Sequence, residues 1–320
     1  MPQATNNLKG AFLALLGFAL FSTHDAIIKH LGGQYTAFQI IFFRTLLSFP
    51  LVTLMLMQDK TDGHLRPRHP WWIGLRICAD MLAGAGAFYA FSVLPLAQVY
   101  AILFASPLLI TVLAIPILGE RVRLRRGLAV IVGVIGVLIV LRPGHTVISL
   151  GHIAAMASAV GGATSSIIAR KIGHEERPAV ILLYPMMANF VVMGALMPTF
   201  YVPMSALDLG EMGMIAVFAI IAGLCTLFAY RNAEAVIVAP MQYSQILWAV
   251  VYGYLFFNEQ IDLYTTVGIS VIVASGLYIL FRESRVSASE NQPVTRTRWR
   301  PDTGTLSRLG SVLSRNKPQE

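Results

Sequence analysis

A duplicated pair of apolar helices constrains this chain more than any other feature. Residues 97–142 read AQVYAILFASPLLITVLAIPILGERVRLRRGLAVIVGVIGVLIVLR, two apolar runs joined by a short Gly-Glu loop. Residues 234–282 read EAVIVAPMQYSQILWAVVYGYLFFNEQIDLYTTVGISVIVASGLYILFR, with the same layout. Glu120 falls where Glu259 falls, and beyond a one-residue shift in the loop Gly136 matches Gly276 and Arg142 matches Arg282. The two copies lie about 140 residues apart, close to half the chain before its tail. A repeat of that size in an apolar chain predicts two homologous halves of a membrane protein.

Composition excludes a water-facing surface. Of the 320 residues, 56% are hydrophobic and 12% are charged, against roughly 25% charged in a soluble domain. Strict alternation of apolar and polar residues is absent, which disfavours a transmembrane β-barrel. The apolar runs approach the length of about 20 residues that one helical crossing needs. The expected fold is therefore an all-α polytopic membrane protein of ten transmembrane helices, arranged as two inverted five-helix repeats. Its spans fall over about 9–31, 37–57, 71–94, 97–118, 124–141, 150–170, 180–198, 212–230, 235–257 and 263–281. The organisation is a cytoplasmic N-terminus over 1–8, a first repeat over 9–143, a second over 150–282, and a basic tail over 283–320. The first helix resembles a signal peptide at its start but continues into His24, Asp25 and Lys29 without a small-residue cleavage site, and reads as a retained span.

Five spans per half is odd, so the second half enters the membrane from the opposite side. With the N-terminus inside, the inner segments hold Lys9, Lys60, Arg66, Arg68, Arg121, Arg123, Arg125, Arg126, Arg170, Lys171, Arg177, Arg231 and every cation of the tail. The outer loops hold Arg142, with Lys29 at a helix end. That asymmetry places both termini in the cytoplasm. The loop after Glu120 carries four arginines and its counterpart after Glu259 carries none, as opposite orientation of the two copies requires. The net charge of +8 thus reports orientation and not a nucleic-acid partner. Leu306, Leu309, Val312 and Leu313 of the tail share one helical face beside Arg308, Arg315 and Lys317, a pattern that a disordered tail or a lipid-surface helix both satisfy.

Chemistry is sought where ionisable groups enter apolar helices, because an unpaired charge there is costly. Asp25 lies about two-thirds of the way along the first helix, with Lys29 one turn further, and Arg44 lies about two turns into the second. Asp25 and Lys29 are spaced i,i+4, as are Arg76 and Asp80. The plain expectation is mutual neutralisation, with Lys29 and Arg76 reaching for the headgroups. Asp25 and Arg44 sit at similar depth on adjacent helices and could face one cavity. In the second half Ser165 takes Asp25's matching position.

The ninth helix carries Pro240, Gln242, Tyr243, Gln245 and Trp248, and in the matching fourth helix Ser106 precedes Pro107, with Tyr100 two turns earlier. A mid-helix proline leaves a carbonyl to be satisfied by a neighbour or by water. Two such helices with polar neighbours predict a cavity between the halves. Bonding of Ser and Gln across helix contacts is the competing expectation. Glu120 and Glu259 are expected at helix N-termini, as carboxylates capping free N–H groups. Cys78 and Cys225, in different helices, read as buried packing thiols. The Gly/Ala clusters at 83–87 and 160–163 serve close helix packing. No Walker motif, metal cluster or nucleophile-plus-base constellation is visible.

The segments FSTHDAIIKHLGG with IIFFRTLLSFP, then PLAQVYAILFASPLLITVLAIPILGERV, then VAPMQYSQILWAVVYGYLFFNEQ followed by IVASGLYILFRE resemble the drug/metabolite transporter superfamily. More narrowly they resemble its ten-helix bacterial EamA branch, over about Gly10 to Glu283. The resemblance implies an inner-membrane carrier working by alternating access on amino-acid-, amine- or vitamin-like metabolites, nucleotide-linked compounds or drugs. The Asp25, Lys29 and Arg44 pattern is similar to the subset that includes riboflavin- and S-adenosylmethionine-type carriers. On this reading no cofactor or metal is expected. The partners are a small-molecule substrate and the lipid bilayer, with a coupling proton as a candidate and the oligomeric state unspecified. Asp25, Arg44, Ser106, Gln242, Tyr243 and Gln245 would line the cavity, with Tyr100 and Trp248 as aromatic walls. Arg44 would hold an anionic group, and Asp25 an amine or a proton. A membrane-embedded enzyme and a non-transporting sensor or scaffold are the rival classes.

Overall fold

A computed structural model describes residues 7–57, 65–119, 124–142, 148–173, 175–233 and 235–285. Glu120 and the tail residues 306–313 singled out above lie outside the described residues. Every regular element among the described residues is helical: α1 (Asn7–Gly32), α2 (Ala37–Met57), α3 (Pro70–Val93), α4 (Leu96–Leu103), α5 (Ser106–Leu118), α6 (Leu124–Leu141), α7 (Leu150–Ile172), α8 (Pro178–Phe200), α9 (Ala206–Asn232), α10 (Ala235–Val238), a 3-10 segment (Ala239–Tyr243), α11 (Ser244–Phe257) and α12 (Leu263–Arg285).

These elements make ten spans. Six are long and apolar enough to cross a membrane on length and composition, counting α4 and α5 together. Shorter apolar cores in α2, α6 and α12 add three more, and α10, the 3-10 segment and α11 together form the tenth. The outer faces suit lipid: α6 exposes Leu128, Ile131, Ile135 and Leu138, three or four residues apart. Trp71, at the start of α3, is 79% exposed, as an interfacial anchor would be. Cys78 is exposed on this same kind of surface and Cys225 is half-buried, so the expectation of two buried thiols fails. On a span whose outer face meets lipid, a small thiol needs no protein neighbour.

The two halves pair reciprocally. α1 packs on α9 and its counterpart α7 on α3; α2 packs on α9 and α8 on α3; α5 packs on α7 and α11 on α1. Each helix that pairs with its own counterpart, α2 with α8 and α6 with α12, lies on the pseudo-two-fold axis of an inverted repeat. Small residues set these seams. A Cβ at Gly10 would stand 2.2 Å from that of Ala233, and one at Gly161 would stand 2.6 Å from the Ala79 carbonyl. Gly136 and Gly268 do the same for each other across α6 and α12.

Two spans are broken. The fourth divides at Phe104–Ala105, just ahead of Pro107, and the ninth narrows to the 3-10 segment around Pro240. Proline has no N–H for the i−4 carbonyl and its ring crowds that carbonyl, so the helix is interrupted beside each one.

Candidate functional site

A cluster of fully buried polar groups sits on α1. Ser22 and Asp25 are spaced i,i+3 and share one face of α1. Asp25 is 1% exposed and His24 is fully buried. His24 Nδ1 lies 2.7 Å from Asp25 Oδ1. From α4, the Tyr100 hydroxyl donates to Asp25 Oδ2 and stands 3.4 Å from Ser22 Oγ. Pro95 starts α4 immediately after α3 ends, which returns the chain at once and carries Tyr100 to α1.

Arg44 of α2 is also buried, and its guanidinium sits 5.6 Å over the Phe88 ring. His24 meets the same ring edge-on at 6.2 Å. The Asp25 cluster and the Arg44 cation therefore flank one phenyl group. A row of rings continues from there into the second half: Phe91 to Tyr100 at 5.5 Å, Tyr100 to Phe104 at 5.8 Å, and Phe104 to Tyr243 at 5.3 Å. The Tyr243 hydroxyl fills space that Gly276 leaves, since a Cβ there would be 1.7 Å away. Trp248 stacks on Tyr252, whose hydroxyl is 2.9 Å from Thr23 Oγ1 on α1. Gln245 is fully buried and Gln242 half-buried in the 3-10 segment. The Ser106 hydroxyl donates to the Ala159 carbonyl of α7 at 3.5 Å, so it serves a helix contact. Asp25, Tyr100 and Arg44 thus gather around α1, and Tyr243 joins them through the aromatic row. Trp248, 37% exposed, stands at the margin.

Spacing along single helices pairs Arg76 with Asp80 as expected but misassigns the partner of Lys29. Lys29 pairs not with Asp25 but with Glu259 of the second half, at 2.8 Å. Glu259 does cap a helix, but across the seam: its Oε2 accepts the Leu96 N–H at the start of α4 at 2.9 Å. Arg76 does not reach the headgroups. It is 2% exposed, its Nε lies 3.4 Å from Asp80 Oδ2, and it donates to the Ser165 carbonyl at 3.2 Å. Ser165 Oγ donates in turn to Asp80 Oδ1 at 2.5 Å. The position matching Asp25 in the second half is thereby supplied with a carboxylate from α3. His24 was not singled out from the sequence, although a histidine beside an acid within an apolar run was the available signal.

The Arg76–Asp80–Ser165 cluster lies in a tight interface, between Gly161 and Ala79 on one side and Gly86 and the Ala154 carbonyl on the other. Losing one partner of a buried ion pair costs about 3–5 kcal/mol. Arg76→Leu is accordingly expected to lower the detergent-solubilised unfolding midpoint sharply and to cut the membrane-inserted yield, whereas Cys78→Ser on the exposed face of the same helix leaves both unchanged. Thermal unfolding followed by size-exclusion recovery measures the difference.

A bundle of ten spans in two inverted halves, with charged and hydroxyl groups buried on the seam, has the architecture of a membrane carrier. The model of the EamA-like transporter family matches residues 8–142 and again 149–281, and the chain belongs to that family. It is 24% identical over 291 residues to the S-adenosylmethionine uptake transporter of Rickettsia prowazekii, covering 89% of this chain and 97% of that one. It is 26% identical over 268 residues to the pseudopaline exporter CntI of Pseudomonas aeruginosa, covering 83% and 94%. A solved structure matches with a TM-score of 0.55 and 17% identity over 88% of this chain and 98% of the other, which shows a shared fold. The relatives are transporters of small metabolites, and no enzyme name appears among these relatives.

Proposed function

We propose that this chain is a secondary transporter of the cell inner membrane that moves a small polar organic metabolite bearing an amine and an acidic group, by alternating access. The observation that carries the reading is the burial of Asp25 and Arg44 on neighbouring helices, on either side of Phe88, at the seam where the halves meet. Ionised groups there are costly unless they serve a passing solute or each other. Asp25, with Tyr100 holding one oxygen, would take an ammonium. Arg44 would take a carboxylate, and Tyr243, Gln242 and Gln245 would meet the solute from the second half. One relative is named for uptake and another for export, so kinship does not set the direction.

The test is flux into proteoliposomes. A panel of zwitterionic amino-acid-like solutes, with S-adenosylmethionine included on the strength of the Rickettsia relative, is compared with neutral and purely anionic solutes of similar size. Saturable uptake confined to zwitterions supports the reading, and equal uptake of neutral solutes removes the charged-site argument. A chain with no flux for any metabolite in a broad uptake screen is a sensor or scaffold instead.

Topology has its own test. A reporter fused after Met57 or at the C-terminus is expected to report cytoplasm, and one near Gly144 to report periplasm, by the placement of Lys and Arg. The same side for positions 57 and 144 would break the inverted model.

A further inference from the structure

One end of the seam is closed by two charges from opposite halves. Lys29 lies one turn beyond Asp25 on α1, at the end of the bundle that carries the α1–α2, α3–α4 and α11–α12 connections. Its Nζ reaches Glu259 Oε1 at 2.8 Å and donates to the Leu94 carbonyl at 2.6 Å, with the Phe257 ring 5.3 Å away. The second Glu259 oxygen accepts the Leu96 N–H at 2.9 Å. That N–H belongs to the first turn of α4 and has no partner within its own helix, and the N-cap there is Pro95, which offers no capping side chain.

The loop is built to present this carboxylate. Asn258 ends α11 in the left-handed conformation, at φ 53, and the Glu259 N–H returns to the Gly253 carbonyl at 2.8 Å. A Cβ on residue 253 would stand 2.6 Å from Glu259 Oε2, so the carboxylate lies flat on α11 because that residue is glycine. The pair is sheltered, at 11% and 15% exposure, yet close enough to water to be rehydrated when it parts. It ties α1 and α4, which carry Asp25 and Tyr100, to the loop between α11 and α12.

We infer that Lys29 and Glu259 form a latch that holds this end of the transport path shut, and that parting them is the step that admits water and solute to Asp25 from that side. The inference rests on the alternating-access reading. In that cycle the halves must separate at each end in turn, and this contact cannot survive separation at its own end.

Accessibility of the site tests the latch without any substrate. In a full-length chain with Cys78→Ser and Cys225→Ser, Ser22→Cys places a thiol beside Tyr100. In right-side-out vesicles a membrane-impermeant maleimide is added from the side away from the termini. Glu259→Gln and Lys29→Met are each expected to label about tenfold faster than the parent, or more, by shifting the population toward the open state. Lys29→Arg, which keeps the charge and the donors, is expected to label at the parental rate. If Glu259→Gln does not yield monodisperse protein, Lys29→Met decides. A monodisperse variant that labels no faster than the parent overturns the latch. Faster labelling in a protein that moves no solute keeps the latch and refutes the transport reading, which separates the two failures.

Discussion

Arg44→Gln is expected to abolish solute flux while leaving the membrane-inserted protein near its normal level. Arg44 is 9% exposed on α2, and its guanidinium rests on the face of Phe88. Replacing it with an uncharged amide of similar reach keeps much of the packing volume and removes the one property a solute carboxylate would need. The expected loss is at least 100-fold in flux, because a charge-assisted bidentate contact to a carboxylate is among the strongest a site can offer. Arg44→Lys keeps the charge but not the planar fork, and is expected to retain partial flux with a raised half-saturation concentration. The structural alternative makes the opposite prediction. If Arg44 serves chiefly to neutralise a buried partner, Arg44→Gln leaves that partner uncompensated at about 3–5 kcal/mol, and the protein disappears from the membrane before flux can be compared. Quantifying folded protein by fluorescence size exclusion beside flux separates the two.

The architecture was legible because the bilayer imposes one dominant rule. A chain that must satisfy its backbone inside lipid writes its spans as apolar runs of a fixed length, and the ten runs predicted here match the ten observed spans closely. The odd number of spans per half and the opposed loop charges then leave inversion as the consistent arrangement. The helix breaks were not legible: Pro107 and Pro240 signalled a freed carbonyl within continuous spans, and Pro50 and Pro185 sit inside unbroken helices.

Partners within one helix were legible, as Arg76 and Asp80 show, but partners across seams were not, and the reason is geometric. A spacing of i,i+4 proposes Lys29 for Asp25, but it says nothing about a loop more than two hundred residues later in sequence. Glu259 reaches Lys29 because the inverted repeat places the α11–α12 loop beside the end of α1. The same limit applied to Arg76. Within α3 it reads as a cation with one acid a turn away and a stem free to reach the surface. In the folded chain α7 covers it, and Ser165 completes the set with both its carbonyl and its hydroxyl. Sequence spacing captures contacts within one helix, such as Arg76 with Asp80, whereas Lys29, and the further partner Ser165 of the Arg76–Asp80 pair, meet across seams that exist only after the halves dock. Tyr100 shows the converse. The sequence reads it as an aromatic wall, and the structure makes it a hydrogen-bond donor to Asp25, because the turn at Pro95 brings α4 back within side-chain reach of α1.

Asp25→Asn is expected to abolish gradient-driven accumulation yet leave exchange of labelled for unlabelled solute intact, if Asp25 carries the coupling proton. An asparagine imitates the protonated acid in shape. Its amide oxygen can still accept from Tyr100, and its volume fits the same space beside His24 and Ser22. A carrier fixed in that state has no proton to release and no carboxylate to regain one, so a proton gradient has nothing to act on. Exchange requires only that the loaded carrier reorient, and the neutral residue permits it. A static ion-pair role predicts otherwise. The imidazole of His24 and the Tyr100 hydroxyl would lose the carboxylate they meet, the α1 seam would distort, and exchange and accumulation would fall together. Asp25→Glu adds a discriminating case, since it keeps the titratable group but pushes it about one methylene further toward Tyr100. A coupling site is expected to retain gradient-driven uptake at a reduced rate there, whereas an overpacked seam costs typically 1–3 kcal/mol and loses both activities. Both assays run on the same proteoliposomes with an imposed pH gradient and with external unlabelled solute. Accumulation that Asp25→Asn leaves unchanged would remove Asp25 from the coupling step.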